Sequence, residues 1–183
     1  TITPQTLKEM KEGGCWKIFY GVESLVQKNL DAIKKGITVQ QIFDAIKWTR
    51  EAGIESETSF ILGIPGETYE EALTTIKLVK KLNPNYAKFF QFTLFEGQER
   101  QEDISKLGAI VTEDLQGVTG NQVTFVPHSM TREQLEKLVP MAYRQFYLRP
   151  RYILDYMKKM KTFEDVRRAF KGFSAVTSLS AAA

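Results

Sequence analysis

Two spacings of apolar residues alternate along the first half of the chain. Short runs rich in apolar residues occupy 18–22, 60–64 and 86–95, and the segments between them place apolar residues three or four positions apart. Adjacent apolar residues are typical of strands covered on both faces, whereas the wider spacing is typical of helices with one buried side. The repeated order of strand, helix and strand predicts an α/β fold with a parallel sheet and right-handed crossovers.

Helix-start patterns extend this prediction to the whole chain. A threonine followed three positions later by glutamine has the spacing of a capping box, and proline is favoured in the first helical turn. Such patterns predict helices that begin at or just after Thr3, Thr38, Thr131, Pro150 and Thr162.

The patterns divide the chain into three parts. Residues 1–98 contain the three strand-helix units, and residues 131–183 form a helical C-terminal extension. Residues 99–130 form an irregular connection, with a short helical piece at 104–107 and at most a brief strand at 122–126.

Composition and charge narrow the class of protein. A chain of 183 residues with 43% apolar residues can bury a sizeable core. The net charge is +3, but residues 132–171 hold eleven Lys and Arg against five Asp and Glu, so that segment carries +6 and the rest −3. Basic residues on helices most often form a solvated face, although they could also dock an acidic partner in a salt-dependent complex. No motif supports a nucleic-acid partner.

The single cysteine, Cys15, excludes an internal disulfide and any multi-cysteine metal site within this chain. We expect it to be a small buried residue, and its count suits a reducing cytoplasm. No apolar run reaches the roughly 18 residues of a membrane span. Trp16 is expected in the core or in a contact between helix and sheet, and the lone His128 at the surface. The chain opens at Thr1 without a methionine, so we expect a fragment.

Ligands of parallel α/β proteins bind at the carboxyl ends of the strands, where this chain places glycine and acidic residues. Glu23 follows the first strand and could accept hydrogen bonds from the vicinal hydroxyls of a ribose, or it could cap the next helix. The loop "GIPGET" follows the second strand. It could bind a ligand through its backbone, or it could be an ordinary turn in which Pro65 fixes φ and Glu67 or Thr68 caps the helix.

Consecutive segments of the sequence resemble the motifs of radical S-adenosylmethionine (SAM) enzymes. They are "GCWKIFYGVES", "LDAIKKGIT", "FILGIPGET" and "LNPNYAKFFQFT", and the later "AYRQFYLRPRYIL" is similar to cobalamin-dependent members such as the anaerobic magnesium-protoporphyrin monomethyl ester cyclase. The resemblance implies the C-terminal, parallel-sheet half of a partial (β/α)6 TIM-like barrel, followed by a helical region.

The resemblance also implies roles for individual residues toward SAM. Glu23 would bond the ribose, and Ser59 stands where an aspartate often shares that contact. Lys35 would face the methionyl carboxylate, where arginine is frequent; lysine keeps the charge but loses the bidentate fork.

The adenine of SAM would lie against the loop after the second strand. Ile61 and the turn of Gly63, Ile64 and Pro65 match the family's apolar contact. The three strands match the fourth to sixth strands of the family barrel. The third strand, which matches the sixth, ends in "LFEGQ", at 94–98, instead of the usual Pro-x-Pro-Gly-Thr, so the substrate side departs from the family pattern.

The family's CxxxCxxC motif for a [4Fe-4S] cluster is absent from this chain. We therefore expect the cluster half of the barrel, and a cobalamin-binding domain if the closer resemblance holds, upstream in the same polypeptide, and we expect the fragment alone to be inactive. The parent would reductively cleave SAM and act on a small-molecule substrate, as a cyclase or a methyltransferase. A non-catalytic module that binds an adenine nucleotide is the alternative. The sequence does not identify the substrate.

Overall fold

A three-stranded parallel sheet lies at the centre of the fold. The computed structural model describes residues 2–95, 104–112, 123–160 and 162–178. The elements, in chain order, are α1 (Pro4–Glu12), β1 (Lys17–Glu23), α2 (Gln27–Ala32), α3 (Val39–Glu51), β2 (Glu55–Leu62), α4 (Tyr69–Leu82), β3 (Tyr86–Gln91), α5 (Ile104–Leu107), β4 (Gly108–Ile110), β5 (Phe125–Pro127), α6 (Arg132–Tyr147), α7 (Pro150–Lys159) and α8 (Phe163–Ser178).

The strands lie in the order β1, β2, β3, and both pairings are parallel. Phe19 is the register partner of Glu57, and Ser59 is the partner of both Gly21 and Lys88. The pairing of β1 is irregular between Gly21 and Glu23. This topology confirms the predicted parallel α/β arrangement.

One face of the sheet packs against α3, α4 and α6 and forms the main core. Full burial of a large apolar side chain stabilises a fold by roughly 1.5–3 kcal/mol, so this face contributes most of the hydrophobic stabilisation. Its buried strand residues are Val22, Phe60, Leu62, Ala87 and Phe89.

The opposite face of the sheet is not covered by these helices. Its alternate residues include Phe19, which is 56% exposed, together with Glu57 and Lys88. The prediction that the strands are covered on both faces is therefore wrong for the described part of the chain. This face is uncovered because the core residues of α3, α4 and α6 all pack in the cluster on the other face of the sheet.

A small antiparallel pair, β4 with β5, forms a second sheet after α5. The short helix predicted at 104–107 is confirmed. Strand β5 overlaps the end of the brief strand predicted at 122–126, and it extends one residue beyond it. The sequence does not predict β4. The Leu94 amide donates to the Thr124 hydroxyl at 2.7 Å, which ties β5 to the segment after β3.

The C-terminal helices begin as their capping patterns predict. Thr131 and Gln134 form a capping box at the start of α6, and proline begins α7. Arg149 donates to the Lys80 carbonyl at 2.8 Å and to Asn83 Oδ1 at 2.7 Å, so it closes the C-terminal end of α4.

Four further expectations concern three single residues and membrane helices. Trp16 is 66% exposed, so its expected core position is wrong. Cys15 is half-buried, and its thiol donates to the Lys17 carbonyl at 3.6 Å. His128 is exposed, as expected. Among the described residues, no helix is both long enough and apolar enough to cross a membrane.

Candidate functional site

Glu23 forms an ion pair with Lys35 at the carboxyl end of β1. The Glu23 Oε1 and Lys35 Nζ atoms lie 3.1 Å apart, and the two side chains are 18% and 31% exposed. Glu23 has a φ of 68°, a left-handed conformation that is uncommon for a residue other than glycine. Backbone strain of this kind clusters at functional sites, and here it accompanies the break in strand pairing after Gly21.

Gly21 leaves the space that the Glu23–Lys35 pair occupies. A Cβ atom at Gly21 would lie 2.7 Å from Glu23 Oε1 and 3.4 Å from Lys35 Nζ. The first distance is shorter than real Cβ contacts, so an alanine here would displace the carboxylate. Because Ser59 is the register partner of Gly21, the carboxylate over Gly21 lies beside the Ser59 position on the neighbouring strand. The structure therefore brings together three residues that the sequence assigned to SAM.

The alternative role of Glu23 as a helix cap is wrong. The N-cap of α2 is Val26, which makes no side-chain capping bond. Instead, the Ser24 hydroxyl accepts from the Val26 amide at 3.2 Å and shares a 3.2 Å hydrogen bond with Thr75 of α4. The Glu23 carboxylate is thus held at the sheet edge by Lys35 and not by the amides of the next helix.

The loop after β2 is closed by the buried side chain of Glu67. Its Oε2 atom accepts the Gly63 amide at 2.6 Å and the Ile64 amide at 3.3 Å, and its Oε1 atom accepts the Asn29 side-chain amide at 2.8 Å. Glu67 is fully buried. Burial raises the pKa of the Glu67 carboxyl to about 7, because the loss of solvation outweighs the hydrogen bonds that favour the charged form.

Neighbouring elements also fix this loop. The Ser129 hydroxyl donates to the Glu67 carbonyl, and the Lys28 ammonium donates to the Gly66 carbonyl at 3.1 Å. Helix α4 has a separate cap, because Thr68 forms a capping box with Glu71. The sequence predicts either Glu67 or Thr68 as the cap of this helix, and only Thr68 fills that role. Thr68 and Glu71 have the spacing of a complete capping box without Glu67. This spacing is the sequence signal that Glu67 has another role.

Two features of the loop restrict what a ligand could touch. Gly63 has a φ of 82°, and a Cβ atom there would lie 2.5 Å from Leu135 Cδ1, so helix α6 occupies that side. Ile64 is 1% exposed, and its side chain joins the buried core. Ile61 and Pro65 are half-buried. The surfaces left for a flat ligand are the half-buried side chains of Ile61 and Pro65.

The structure describes only part of the segment that follows β3. Leu94 is fully buried and Phe95 is 49% exposed, while residues 96–98 of "LFEGQ" lie outside the described residues. Among the described residues, no group of three or more His, Cys, Asp or Glu side chains could hold a metal ion. The chemistry that the site offers is therefore hydrogen-bond acceptance, one ammonium group and an apolar edge.

Sequence comparisons relate this chain to known enzymes. Residues 1–79 match the profile of the Radical SAM superfamily. An uncharacterized methyltransferase of Pyrococcus horikoshii is 36% identical over 176 residues, which cover 96% of this chain and 38% of that protein. The anaerobic magnesium-protoporphyrin IX monomethyl ester cyclase of Rubrivivax gelatinosus is 26% identical over 144 residues, which cover 78% of this chain and 25% of the cyclase. The chain thus spans well under half the length of both relatives.

Solved structures give the same assignment of the fold. Coproporphyrinogen III oxidase from Escherichia coli, a radical SAM enzyme, superposes with a TM-score of 0.58 at 17% identity, covering 80% of this chain and 30% of the oxidase. A radical SAM methyltransferase from Kitasatospora setae, with cobalamin and a [4Fe-4S] cluster bound, superposes with a TM-score of 0.51 at 19% identity. The superposition covers 79% of this chain and 28% of the methyltransferase. These comparisons confirm both the resemblance and the fold predicted from the sequence.

Proposed function

From the radical SAM assignment of residues 1–79, we propose that this chain is the SAM-binding half of a larger radical SAM enzyme. The observation that carries the proposal is the Glu23–Lys35 ion pair, held over Gly21 at the carboxyl edge of the sheet beside Ser59. Ligands of parallel α/β folds bind at this edge. The pair combines an acceptor for hydroxyl groups with a cation for a carboxylate, which suit the ribose hydroxyls and the methionyl carboxylate of SAM.

Glu23 and Lys35 bind different groups of SAM in this proposal. The Glu23 carboxylate accepts the ribose hydroxyls, with the Ser59 hydroxyl as a second polar contact. An ammonium group carries three N–H donors, so Lys35 can retain Glu23 while it donates to the methionyl carboxylate. The ion pair holds the carboxylate in place before the ligand arrives.

Adenine lies against the loop that Glu67 closes. Ile61 and Pro65, which are half-buried, supply the apolar contact. This differs from the sequence expectation for Gly63 and Ile64, because both residues are buried and shape the turn behind the contact surface.

The cluster that radical SAM chemistry requires does not fit the residues of this chain. Iron-sulfur clusters are held by several cysteine thiolates, and Cys15 is the only cysteine in the sequence. Cys15 also precedes β1, at the opposite end of that strand from Glu23. The cluster ligands therefore belong to another part of the parent polypeptide, and the chain alone is inactive.

Cobalamin use by the parent is a further part of the proposal. Its support is the resemblance of the C-terminal segment to cobalamin-dependent enzymes, together with the cobalamin in the Kitasatospora methyltransferase. The parent would act on a small molecule as a methyltransferase or a cyclase, in line with the names of the relatives. Visible absorption of the purified parent tests this directly, since bound cobalamin gives a corrinoid spectrum and its absence removes that part of the proposal.

Calorimetry on the anaerobically reconstituted parent separates this function from a general adenine-nucleotide module. We expect SAM to bind, and ATP and NAD to bind at least about tenfold more weakly, because neither supplies the methionyl carboxylate for Lys35. Binding of ATP or NAD as tight as that of SAM would contradict the proposal and favour the nucleotide module.

A further inference from the structure

The open face of the sheet carries a cluster of charged and aromatic side chains outside the SAM site. Glu57 lies at its centre, on the middle strand. Lys17 Nζ approaches Glu57 Oε2 to 2.7 Å from β1, and Lys88 Nζ approaches Glu57 Oε1 to 2.6 Å from β3. One carboxylate is thus shared by two ammonium groups.

A ligand that approaches this face meets the lysines before the acid. The Glu57 side chain is 11% exposed, whereas those of Lys17 and Lys88 are 32% and 51% exposed. The two hydrogen bonds from the lysines lower the pKa of the Glu57 carboxyl, so this acid stays charged between the two ammonium groups near neutral pH. Each ammonium can hold Glu57 and a ligand oxygen together, since it has three donors.

Aromatic rings flank both ammonium groups. Lys17 Nζ lies 5.2 Å from the centre of the Trp16 ring and 5.5 Å from that of Tyr86, and Lys88 Nζ lies 5.5 Å from that of Phe19. Trp16 and Phe19 are 66% and 56% exposed. Large exposed rings beside cations offer an apolar surface together with charge, a combination that suits a flat molecule with an anionic group.

One further acid lies on this face. Glu55 is the register partner of Lys17, at the first position of β2, and it bonds the Tyr86 side chain. Lys88, by contrast, is the partner of Ser59, two positions nearer the carboxyl end than Glu57. Lys88 is therefore the ammonium group nearer the SAM site, whereas Lys17 lies with the additional acid at the other end of the cluster.

We propose that Lys88, with Lys17, binds the anionic group of a small-molecule substrate whose flat apolar body lies on the exposed rings of the open sheet face. This inference rests on the proposed function, because it names the substrate class of the same enzyme. Glu57 and Ile61 share one face of β2 and are four residues apart, about 13 Å at strand spacing. A molecule anchored at Lys88 therefore extends along the strand toward the SAM loop.

Fluorescence polarisation on the intact parent tests the inference with two matched probes, 1-pyrenecarboxylate and the neutral 1-pyrenemethanol. We expect the carboxylate to bind about tenfold more tightly, since a hydrogen bond to a charged group contributes an effect of that size. Lys88→Gln should remove most of this preference, and the matched control Lys47→Gln, on the exposed surface of α3, should keep it.

Equal binding of the two probes, or a preference that survives Lys88→Gln, would overturn the inference. Sedimentation velocity supplies a second check, because a dimer that excludes both probes would show that another copy of the chain covers the face. SAM affinity of the Lys88→Gln variant is measured in parallel. Unchanged SAM affinity with a lost carboxylate preference supports the substrate site, and failure of SAM to bind the unmodified parent would count against the proposed function instead.

Discussion

The carboxylate of Glu67 accepts the backbone amide of Gly63 at 2.6 Å, across the turn that follows the central strand. The same carboxylate accepts a hydrogen bond from the side-chain amide of Asn29 in α2. One buried acid therefore joins the proposed adenine loop to the helix that follows Glu23. The loop and the Glu23 region are consequently positioned together.

Replacement of Glu67 by alanine should destabilise the fold by about 2–4 kcal/mol, because buried donors at Gly63 and Asn29 would lose their acceptor. Urea denaturation of the chain measures the loss. Glu70→Ala is the control, since Glu70 is exposed in the first turn of α4 and should change the midpoint by only a few tenths of a kcal/mol. A Glu67→Ala midpoint equal to that of Glu70→Ala would contradict the role of the side chain in closing the loop.

The stability should also depend on pH through Glu67. Its folded pKa is raised to about 7 from an ordinary value of 4.5, so the folded protein binds more protons than the unfolded chain between these values. The contribution of this group is fully present below pH 4.5 and is lost as the pH rises to about 7. Denaturation midpoints from pH 4.5 to 8 should fall less steeply in Glu67→Gln than in the unmodified chain. Parallel curves would mean that Glu67 titrates at its ordinary pKa.

Gly21→Ala should weaken SAM binding by the parent about tenfold or more. The new Cβ would meet the Glu23 carboxylate at 2.7 Å and the Lys35 ammonium at 3.4 Å, so the ion pair would have to move. Calorimetry measures the affinity, and circular dichroism checks that the variant folds. Gly172→Ala is the matched control, because a Cβ at that position of α8 meets nothing within 4 Å. A folded Gly21→Ala protein that binds SAM with normal affinity would show that the Glu23–Lys35 ion pair does not contribute to SAM binding.

Gly63 and Leu135 should be energetically coupled. A Cβ at Gly63 would lie 2.5 Å from Leu135 Cδ1, and the φ of 82° adds backbone strain that an alanine would bear. We expect Gly63→Ala and Leu135→Ala each to cost roughly 2–4 kcal/mol, and the double variant to cost less than their sum, because the smaller residue 135 relieves the clash. Additive losses in a double-mutant cycle would contradict this packing.

The parallel sheet and the helix starts could be predicted from sequence because they depend on local patterns. Thr38, Thr68 and Thr131 each form a capping box within four residues of chain. The open face could not be predicted in this way. A run of apolar residues in β1 is compatible with one covered face or with two. Only the placement of the helices shows that Phe19 is exposed.

The candidate site was predictable in its residue types but not in its contacts. Glu23 and Lys35 were assigned to different parts of SAM, and the structure adds that they bind each other. The roles of Gly21 and Glu67 depend on contacts with side chains or amides that sequence spacing alone does not specify. The division at residues 98 and 130 stays a prediction, because much of 96–122 lies outside the described residues.

The most direct test of the proposed function is the SAM affinity of Glu23→Gln in the reconstituted parent, with Glu51→Gln as the control. Glu51 is an exposed acid at the end of α3, so its change should leave the affinity unaltered. Loss of the charged acceptor at Glu23 should weaken SAM binding about tenfold or more, as expected for a hydrogen bond to a charged group. Equal affinity of the two variants would show that Glu23 does not hold the ribose, and the proposed SAM site would be wrong.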